Sequence, residues 1–220
     1  MATVLITGAN RGIGLALARV YKARGDDVIA ACRVTSRALT DLGVKVHEGV
    51  EVGDDASVDR LASRLGKTRI DVVINNAGIH SNETLDDLNF DRIRKQMEVN
   101  AYGPIRVTRA LLPHLHDGSK VVIVTSRSGS IGDNGSGRTY GYRMSKAAVN
   151  MAGVNLAIDL KPRGIPVLLL HPGMVKTDMG GGPQAVEAKD AAARMVARVD
   201  DLSLATTGKF LHAEGYELPW

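Results

Sequence analysis

The sequence of 220 residues offers no route to an internal covalent cross-link, because Cys32 is its single cysteine. No disulfide can form within the chain, and this fits a reducing compartment. No apolar run approaches the ~20 residues that a membrane-spanning helix needs. The N-terminus also lacks the basic region and long apolar core of a signal peptide. We therefore expect a cytoplasmic protein without a membrane segment.

The charge of the sequence argues against several kinds of partner. Lys and Arg number 28 and Asp and Glu 24, which gives a net charge of +4, and no long basic block is present. A nucleic-acid partner is therefore not expected. The 6 histidines lack metal-ligand spacing, so no metal site is predicted. The chain has no low-complexity linker and no repeat of fixed period, which predicts one domain over residues 1–220.

What the sequence does contain is a regular alternation of short apolar runs and longer stretches with helical periodicity. The strand-like runs are residues 3–7, 28–32, 45–50, 71–75, 120–126, 165–171 and 209–212, and the helical stretches are 12–25, 55–66, 89–115, 138–161 and 184–199. Runs such as VVIVT and VLLLH are apolar at consecutive positions, as in parallel strands that are covered on both faces. The alternation predicts a single doubly wound, Rossmann-type α/β domain, with a parallel sheet of about seven strands and helices on both faces.

Three glycines follow the first predicted strand in the stretch ITGANRGIGL, namely Gly8, Gly12 and Gly14. Where the first strand of a doubly wound sheet turns into the first helix, glycines let the backbone approach a pyrophosphate, and the helix N-terminus supplies free N–H groups. The spacing G-x-x-x-G-x-G is neither the general G-x-G-x-x-G fingerprint nor a P-loop. On spacing alone, a tight turn without a ligand is equally acceptable.

Residues 7–14, TGANRGIG, resemble the T-G-x-x-x-G-x-G motif of the short-chain dehydrogenase/reductase family, and further motifs of that family follow in the same order. They are the N-N-A-G of Asn75, Asn76, Ala77 and Gly78, then Asn100 on the fourth helix, Ser126 at the end of the fifth strand, the Y-x-x-x-K of Tyr142 and Lys146, and Pro172 and Gly173 with Val175 and Thr177. The stretches YRMSKAAVN and HPGMVKTDMGG and the ending GKF…G…LPW are similar to the C-factor-like carbonyl reductase branch.

Tyr142 and Lys146 stand four residues apart, which places them on one face of a helix. A nearby ammonium favours the phenolate and lowers the pKa of a tyrosine from its usual value near ~10. Tyr142 is therefore predicted as the general acid for carbonyl reduction and the base for the reverse reaction. A lone Y-x-x-x-K is more often a surface pair, and the other motifs favour the catalytic role here. The resemblance implies that Lys146 holds the nicotinamide ribose and that Asn100 holds a water linking Lys146 to solvent, although an asparagine bonded to a backbone carbonyl fits as well.

The resemblance implies that Ser126 hydrogen-bonds the substrate carbonyl. Members of the family usually place this serine about thirteen residues before the tyrosine, where this chain has Gly129. Ser126 stands further back but fits the family's S-x-x-G, so we infer an insertion of about three residues within SIGDNGSGRT. Ser128 is the alternative for this role.

The region after the second strand indicates which dinucleotide binds. Members that prefer NAD usually carry an acidic residue at the end of this strand, where this chain has Cys32 and then Arg33. Arg33 can hold a 2′-phosphate as a planar fork, Arg11 is a second basic residue and Arg37 is a third candidate, so we expect NADP(H). The family's usual Asp near the adenine is replaced by Glu51. The full set of predicted cofactor contacts is Gly8, Asn10, Arg11, Gly12, Ile13, Gly14, Arg33, Glu51, Val52, Asn76, Ala77, Gly78, Tyr142, Lys146, Pro172, Gly173, Val175 and Thr177.

After Thr177 and Asp178 the helical pattern resumes by about residue 184, where members of the family often insert a long substrate lid. We therefore expect an open site that reduces varied ketones or aldehydes to alcohols with NADPH, its partner being a small carbonyl or alcohol substrate. The alternatives are a dinucleotide-binding signalling or regulatory protein with incidental turnover, and an enzyme that oxidises an alcohol with NAD. Helices near 89–115 and 138–161 commonly form the dimer face of the family, so a homodimer is expected.

Overall fold

Seven parallel strands form one sheet in the computed structural model, which describes residues 1–220. The strands are β1 (Thr3–Thr7), β2 (Asp27–Ala31), β3 (Lys45–His47), β4 (Val72–Asn75), β5 (Lys120–Val124), β6 (Val167–His171) and β7 (Phe210–His212). Their order in the sheet is β3-β2-β1-β4-β5-β6-β7, and all neighbours are parallel. The prediction of a doubly wound parallel sheet of about seven strands is confirmed.

Seven α-helices connect the strands and cover both faces of the sheet. They are α1 (Gly12–Ala23), α2 (Arg37–Thr40), α3 (Asp55–Leu65), α4 (Phe90–Gln96), α5 (Gly103–Leu111), α6 (Tyr140–Leu160) and α7 (Ala188–Asp200). The single turn α2 was not predicted, and the predicted helix 89–115 is interrupted by a π-helical segment, Met97–Tyr102, between α4 and α5. None of these helices is both long and apolar enough to cross a bilayer.

The two faces of the sheet bury different side chains, because successive residues of a strand point to opposite sides. On β1, Val4 packs in one cluster with Leu17 of α1 and Met195 of α7. Its neighbour Leu5 packs in a second cluster with Val107 of α5. Helices on both faces therefore require apolar residues at consecutive strand positions, as the sequence shows.

The predicted strand boundaries differ from the structure by one to three residues, and three of the differences lie at the carboxyl ends. β2 ends at Ala31 instead of residue 32, β3 at His47 instead of residue 50, and β5 at Val124 instead of residue 126. Ser126 instead precedes a 3-10 turn, Arg127–Gly129. The residues after each strand therefore leave the sheet at its carboxyl edge. Because β1 lies between β2 and β4, the connections diverge there, as they do where doubly wound proteins bind ligands.

Gly14 lies in the first turn of α1, where a side chain has no room. A Cβ at this position would overlap the carbonyl oxygen of Gly8 and lie 2.6 Å from Nδ2 of Asn76. We predict that Gly14→Ala lowers the free energy of unfolding by about 1–3 kcal/mol, because the backbone must shift to relieve the overlap. Urea unfolding measures this loss. Gly135→Ala is the matched control, since nothing lies within 4 Å of a Cβ there, and equal losses in the two variants would contradict the prediction.

Candidate active site

A cleft of about 660 Å³ opens at the carboxyl edge of the sheet. Its walls are the segments that follow β1, β2, β3, β4, β5 and β6, together with the first turns of α6. Every predicted cofactor contact lines this cleft, and so do Ser126, Tyr142 and Lys146. Asn100 and Ser128 lie outside its lining. The fold thus brings motifs that are distant in the sequence into one cleft.

Two polar side chains hold the segment after β1 against the segment after β4. The Thr7 hydroxyl accepts hydrogen bonds from the backbone N–H groups of Asn76 at 3.0 Å and Ala77 at 3.1 Å. The Asn76 side chain donates to the carbonyl oxygens of Thr7 at 2.9 Å and Gly8 at 3.2 Å. A Cβ on Gly8, whose φ is +65°, would lie 2.9 Å from Cα of Ala77. Sequence analysis assigns Thr7 no role, although it stands in the glycine motif.

The start of α1 presents N–H groups to the cleft. Arg11 precedes the helix and makes no side-chain cap, and the first turn contains no acidic residue. The first N–H groups of a helix have no partner within it. Gly12, with a φ of +53°, leaves the approach to these groups free of side-chain bulk. Free N–H groups, the partial positive charge of the helix and a backbone without side chains fit a pyrophosphate.

Ser126 and Tyr142 meet at the other end of the cleft. Tyr142 is the third residue of α6, and the Ser126 hydroxyl accepts a hydrogen bond from the N–H of Ser128 at 3.1 Å. The turn after Ser126 is packed against α6, since a Cβ on Gly129 would lie 2.6 Å from the carbonyl carbon of Lys146. Burial raises the pKa of Tyr142, and the nearby Ser126 hydroxyl opposes this rise only in part.

Lys146 lies one turn further along α6 and is buried. Its Nζ donates a hydrogen bond to the carbonyl oxygen of Val124 at 2.9 Å and lies 5.7 Å from the centroid of the Tyr142 ring. Burial lowers the pKa of Lys146 to about 8. The pKa of Tyr142 is raised, and not lowered as the sequence predicts, because burial of the phenol is the largest influence on it.

Asn100 lies in the π-helical segment, and its side-chain amide makes three hydrogen bonds. Oδ1 accepts a hydrogen bond from the N–H of Ile79 at 2.8 Å, while Nδ2 donates to the carbonyl oxygen of Ile79 at 2.8 Å and to Oγ of Ser145 at 3.0 Å. These bonds tie the residue after the N-N-A-G motif to α6. The hydrogen bond to a backbone carbonyl, which was the alternative role for Asn100, is therefore present. A water relay through Asn100 stays a prediction.

The arginines predicted to bind a 2′-phosphate are paired with carboxylates. Nη1 of Arg33 lies 3.5 Å from Oε2 of Glu51, and Nη1 of Arg11 lies 2.9 Å from Oδ2 of Asp178. All four side chains line the cleft. The arginine side chains are 55% and 59% exposed, and ion pairs in such surroundings are weak. A phosphate can therefore displace either carboxylate.

Apolar side chains contribute to the lining of the cleft, among them Met174, Met179 and Ile79. No helix separates β6 from α7, so the segment between them is short, as expected. His171, the last residue of β6, also lines the cleft. Burial, with a smaller contribution from a neighbouring histidine, lowers the pKa of His171 to about 3, so its ring is neutral at pH 7. Sequence analysis identified neither the two methionines nor this histidine as lining residues.

Comparison with known families and proteins gives one consistent result. The sequence model of the short chain dehydrogenase family matches residues 2–187. The 1-hydroxy-2-glutathionyl-2-methyl-3-butene dehydrogenase of Rhodococcus sp. (strain AD45) is 44% identical over 226 aligned residues, which cover 100% of both chains. The C-signal protein of Myxococcus xanthus is 44% identical over 154 residues, which cover 69% of this chain and 93% of that protein.

Solved structures of similar proteins share the whole fold. An NADPH-bound carbonyl reductase from chicken fatty liver superposes with a TM-score of 0.91 at 31% identity, covering 100% of this chain and 99% of that chain. The carbonyl reductase Sniffer of D. melanogaster gives a TM-score of 0.92 at 29% identity and covers 100% of both chains. A carbonyl reductase from Pseudomonas aeruginosa PAO1 gives 0.89 at 30% identity, again with 100% of both chains covered.

Removal of the buried ammonium is predicted to stabilise the protein. The pKa of Lys146 falls from 10.5 to about 8 on burial. A shift of this size corresponds to a cost of about 3 kcal/mol, and loss of the hydrogen bond to Val124 offsets about 1 kcal/mol of the gain. Lys146→Met should therefore be more stable than the wild type by about 2 kcal/mol at pH 7, as measured by urea unfolding.

The pH dependence of the stability difference between Lys146→Met and the wild type tests whether burial of the ammonium causes it. Between pH 8 and 10.5 the unfolded chain holds the Lys146 proton and the folded chain does not, so the wild type gains stability as the pH rises. The advantage of Lys146→Met should be complete below pH 8 and shrink through this interval. A stability difference that does not change with pH, or a Lys146→Met variant less stable than the wild type at pH 7, would contradict the predicted cost of burying the ammonium.

Proposed function

Because the chain belongs to the short-chain dehydrogenase family, we propose that it reduces a ketone or aldehyde to an alcohol with NADPH. One observation carries the proposal: Ser126, Tyr142 and Lys146 line the same cleft as the glycine turn. The likeness to three solved carbonyl reductases supports it.

The residues of the cleft fit a nicotinamide dinucleotide. The bare backbone at Gly8, Gly12 and Gly14 and the first N–H groups of α1 would hold the pyrophosphate. Arg33 and Arg11 would bind a 2′-phosphate, and no carboxylate follows β2 to repel it. The remaining predicted contacts line the rest of the cleft. When bound, the cofactor supplies the hydride, as one of the similar structures, which carries NADPH, supports.

Tyr142 is the proton donor of the proposed reaction. Burial raises its pKa, so the phenol enters the reaction protonated, and transfer of the proton depends on groups that favour the phenolate. The Ser126 hydroxyl hydrogen-bonds the carbonyl oxygen and stabilises the charge that develops on it. The Lys146 ammonium, 5.7 Å from the Tyr142 ring, favours the phenolate that remains after proton transfer.

The lining indicates the class of carbonyl compound. Apart from Lys146, the charged side chains of the cleft are the two ion pairs, Arg33 with Glu51 and Arg11 with Asp178. Met174, Met179 and Ile79 are among the apolar residues of the lining. An uncharged carbonyl compound with an apolar substituent fits this lining, and the short segment between β6 and α7 leaves room for substituents of different sizes.

Oxidation of an alcohol is the second candidate. The Rhodococcus relative is named as a dehydrogenase of a hydroxy compound, and the same residues serve that direction with Tyr142 as the base. Glu51, which lies beside Arg33, offers an acceptor for the ribose 2′-hydroxyl of NAD. Turnover of alcohols with NAD, compared with turnover of carbonyl compounds with NADPH, distinguishes the two directions.

We predict that the wild type consumes NADPH with members of a panel of small ketones, quinones and aldehydes. Tyr142→Phe should lower kcat by about 10²-fold or more, because it removes the proton donor. Tyr140→Phe is the matched control, since Tyr140 is exposed and lies outside the cleft lining. An active Tyr142→Phe enzyme, or a wild type that binds NADPH and turns over no compound of the panel, would contradict the proposal.

A pair of serine variants separates the two candidates for the carbonyl contact. Ser126→Ala should lower kcat by about 10²-fold, whereas Ser128→Ala should stay within about twofold of the wild type, because only Ser126 presents its hydroxyl to the reacting oxygen. Ser126 lines the cleft and Ser128 does not. The reverse order of effects would assign the role to Ser128.

The cofactor preference depends on Arg33. Arg33→Ala should weaken NADPH binding about tenfold and leave NADH binding unchanged, because it removes a charge-assisted hydrogen bond to the 2′-phosphate. Glu51→Gln should strengthen NADPH binding, since it removes the carboxylate that competes for Arg33. Fluorescence titration measures both affinities, with Arg37→Ala as the control because Arg37 lies outside the lining. Equal losses for both cofactors would exclude a phosphate contact.

A further inference from the structure

The helix that carries Tyr142 and Lys146 begins without a cap of its own. Arg138 and Thr139, directly before α6, have φ values of 59° and 47°, in the left-handed region that residues other than glycine rarely adopt. Thr139 makes no side-chain hydrogen bond to the first turn, and that turn has no acidic residue. The first N–H groups of α6 therefore need an acceptor from another part of the chain.

Glu83 provides these acceptors from the segment after β4. Its Oε2 accepts a hydrogen bond from the N–H of Gly141 at 3.3 Å, across 58 positions of the sequence. Its main-chain oxygen accepts a second bond from the N–H of Thr139 at 2.7 Å. The side chain of Glu83 is fully buried. A carboxylate at a helix N-terminus is favourable because it opposes the partial positive charge there.

Neutral donors, and no ion pair, satisfy the Glu83 carboxylate. The Ser81 hydroxyl donates to it, and Nε2 of Gln96 lies 3.4 Å from each of its oxygens. Burial acts to raise the pKa of Glu83, but these donors and the N–H of Gly141, with a smaller contribution from the charge of Arg92, lower it below its ordinary value. A buried carboxylate without a cationic partner is costly unless every oxygen is hydrogen-bonded. The arrangement around Glu83 therefore requires all three donors.

The segment that contains Glu83 also contacts the ring of Tyr142. The rings of His80 and Tyr142 meet edge to face, with centroids 4.7 Å apart. Asn100 fixes Ile79, the residue before His80, through two hydrogen bonds. Residues 79–83 therefore hold Tyr142 in two ways, through its ring and through the first turn of the helix on which it lies.

We propose that Glu83 is a positioning residue for Tyr142, because its carboxylate replaces the missing local cap of α6 and sets where the phenol enters the cleft. This inference rests on the proposed function and adds a residue to it. Gly141, whose N–H the carboxylate accepts, directly precedes Tyr142 in the sequence. A displacement of the first turn of α6 would therefore move the phenol relative to Ser126.

The test compares Glu83→Ala and Glu83→Gln with a control at the opposite edge of the sheet. Asp26 suits the control because it is also a buried carboxylate, bonded to the N–H of Ala2 and to Arg24. Glu83→Ala should lower kcat by about tenfold or more with KM and the Kd of NADPH within about twofold, since small displacements of a reacting group slow the chemical step. Glu83→Gln keeps an acceptor for Gly141 and should restore most of kcat.

Hydrogen–deuterium exchange provides a readout that does not depend on activity. In Glu83→Ala, amides of residues 139–145 should exchange about tenfold faster, as expected for the loss of a helix cap. In Asp26→Ala the same amides should exchange as in the wild type. Unchanged exchange in Glu83→Ala, or a loss of kcat no greater than in Asp26→Ala at equal loss of thermal stability, would overturn the proposal.

Two further outcomes are distinguishable. If Glu83→Ala does not fold, Glu83→Asp serves in its place, because it keeps the charge but is too short to reach Gly141, and it should show the same pattern of kcat and exchange. A wild type that is inactive with every carbonyl compound would refute the proposed function, whereas the exchange comparison would still confirm or overturn the cap.

Discussion

The close approach of the segments after β1 and β4 is the contact on which the rest of the site depends. Thr7 and Asn76 exchange hydrogen bonds across a gap in which no side chain fits at Gly8. This contact fixes the start of α1 on one side of the crevice. On the other side it fixes the N-N-A-G segment, which continues through Ile79 to Asn100 and α6. The proposed pyrophosphate site and the proposed proton donor are therefore parts of one connected framework.

Burial of polar groups along α6 opposes stability and supports the proposed chemistry. Lys146 is an ammonium with one carbonyl acceptor, and burial moves its pKa towards neutrality. Tyr142 is moved in the other direction and keeps its proton. Glu83, which caps the start of the same helix from the segment after β4, keeps a lowered pKa through three neutral donors and a smaller contribution from the charge of Arg92. Ionisable groups whose pKa values are shifted by burial are typical of functional sites, and they make the protein less stable than apolar side chains at the same positions would.

The sequence predicts the parts of the site that depend on local backbone geometry. The spacing of Gly8, Gly12 and Gly14 follows from a single turn. The spacing of Tyr142 and Lys146 follows from one face of a single helix. Both patterns can therefore be predicted from the sequence alone. The parallel sheet is readable because both of its faces are buried, which makes consecutive strand positions apolar.

Other features depend on contacts between distant segments, and no local spacing records them. The pKa of Tyr142 is raised because the fold buries the phenol. The extent of that burial cannot be predicted from the residues near Tyr142 in the sequence. Glu83 stands in a polar stretch, HSNETLDD, that reads as an exposed loop, yet its side chain is fully buried. The π-helical segment also has no compositional mark, so the sequence of Met97–Tyr102 predicts an ordinary α-helix. That segment can shorten by one residue without turning the helix that follows. A π-helical turn holds one residue more than an α-helical turn, so deletion of one residue there would let α4 and α5 join as regular α-helix and leave Val107 and Leu111 in the core. Residues 131–138 are exposed and contribute nothing to either core cluster, so longer insertions and deletions among relatives should accumulate there.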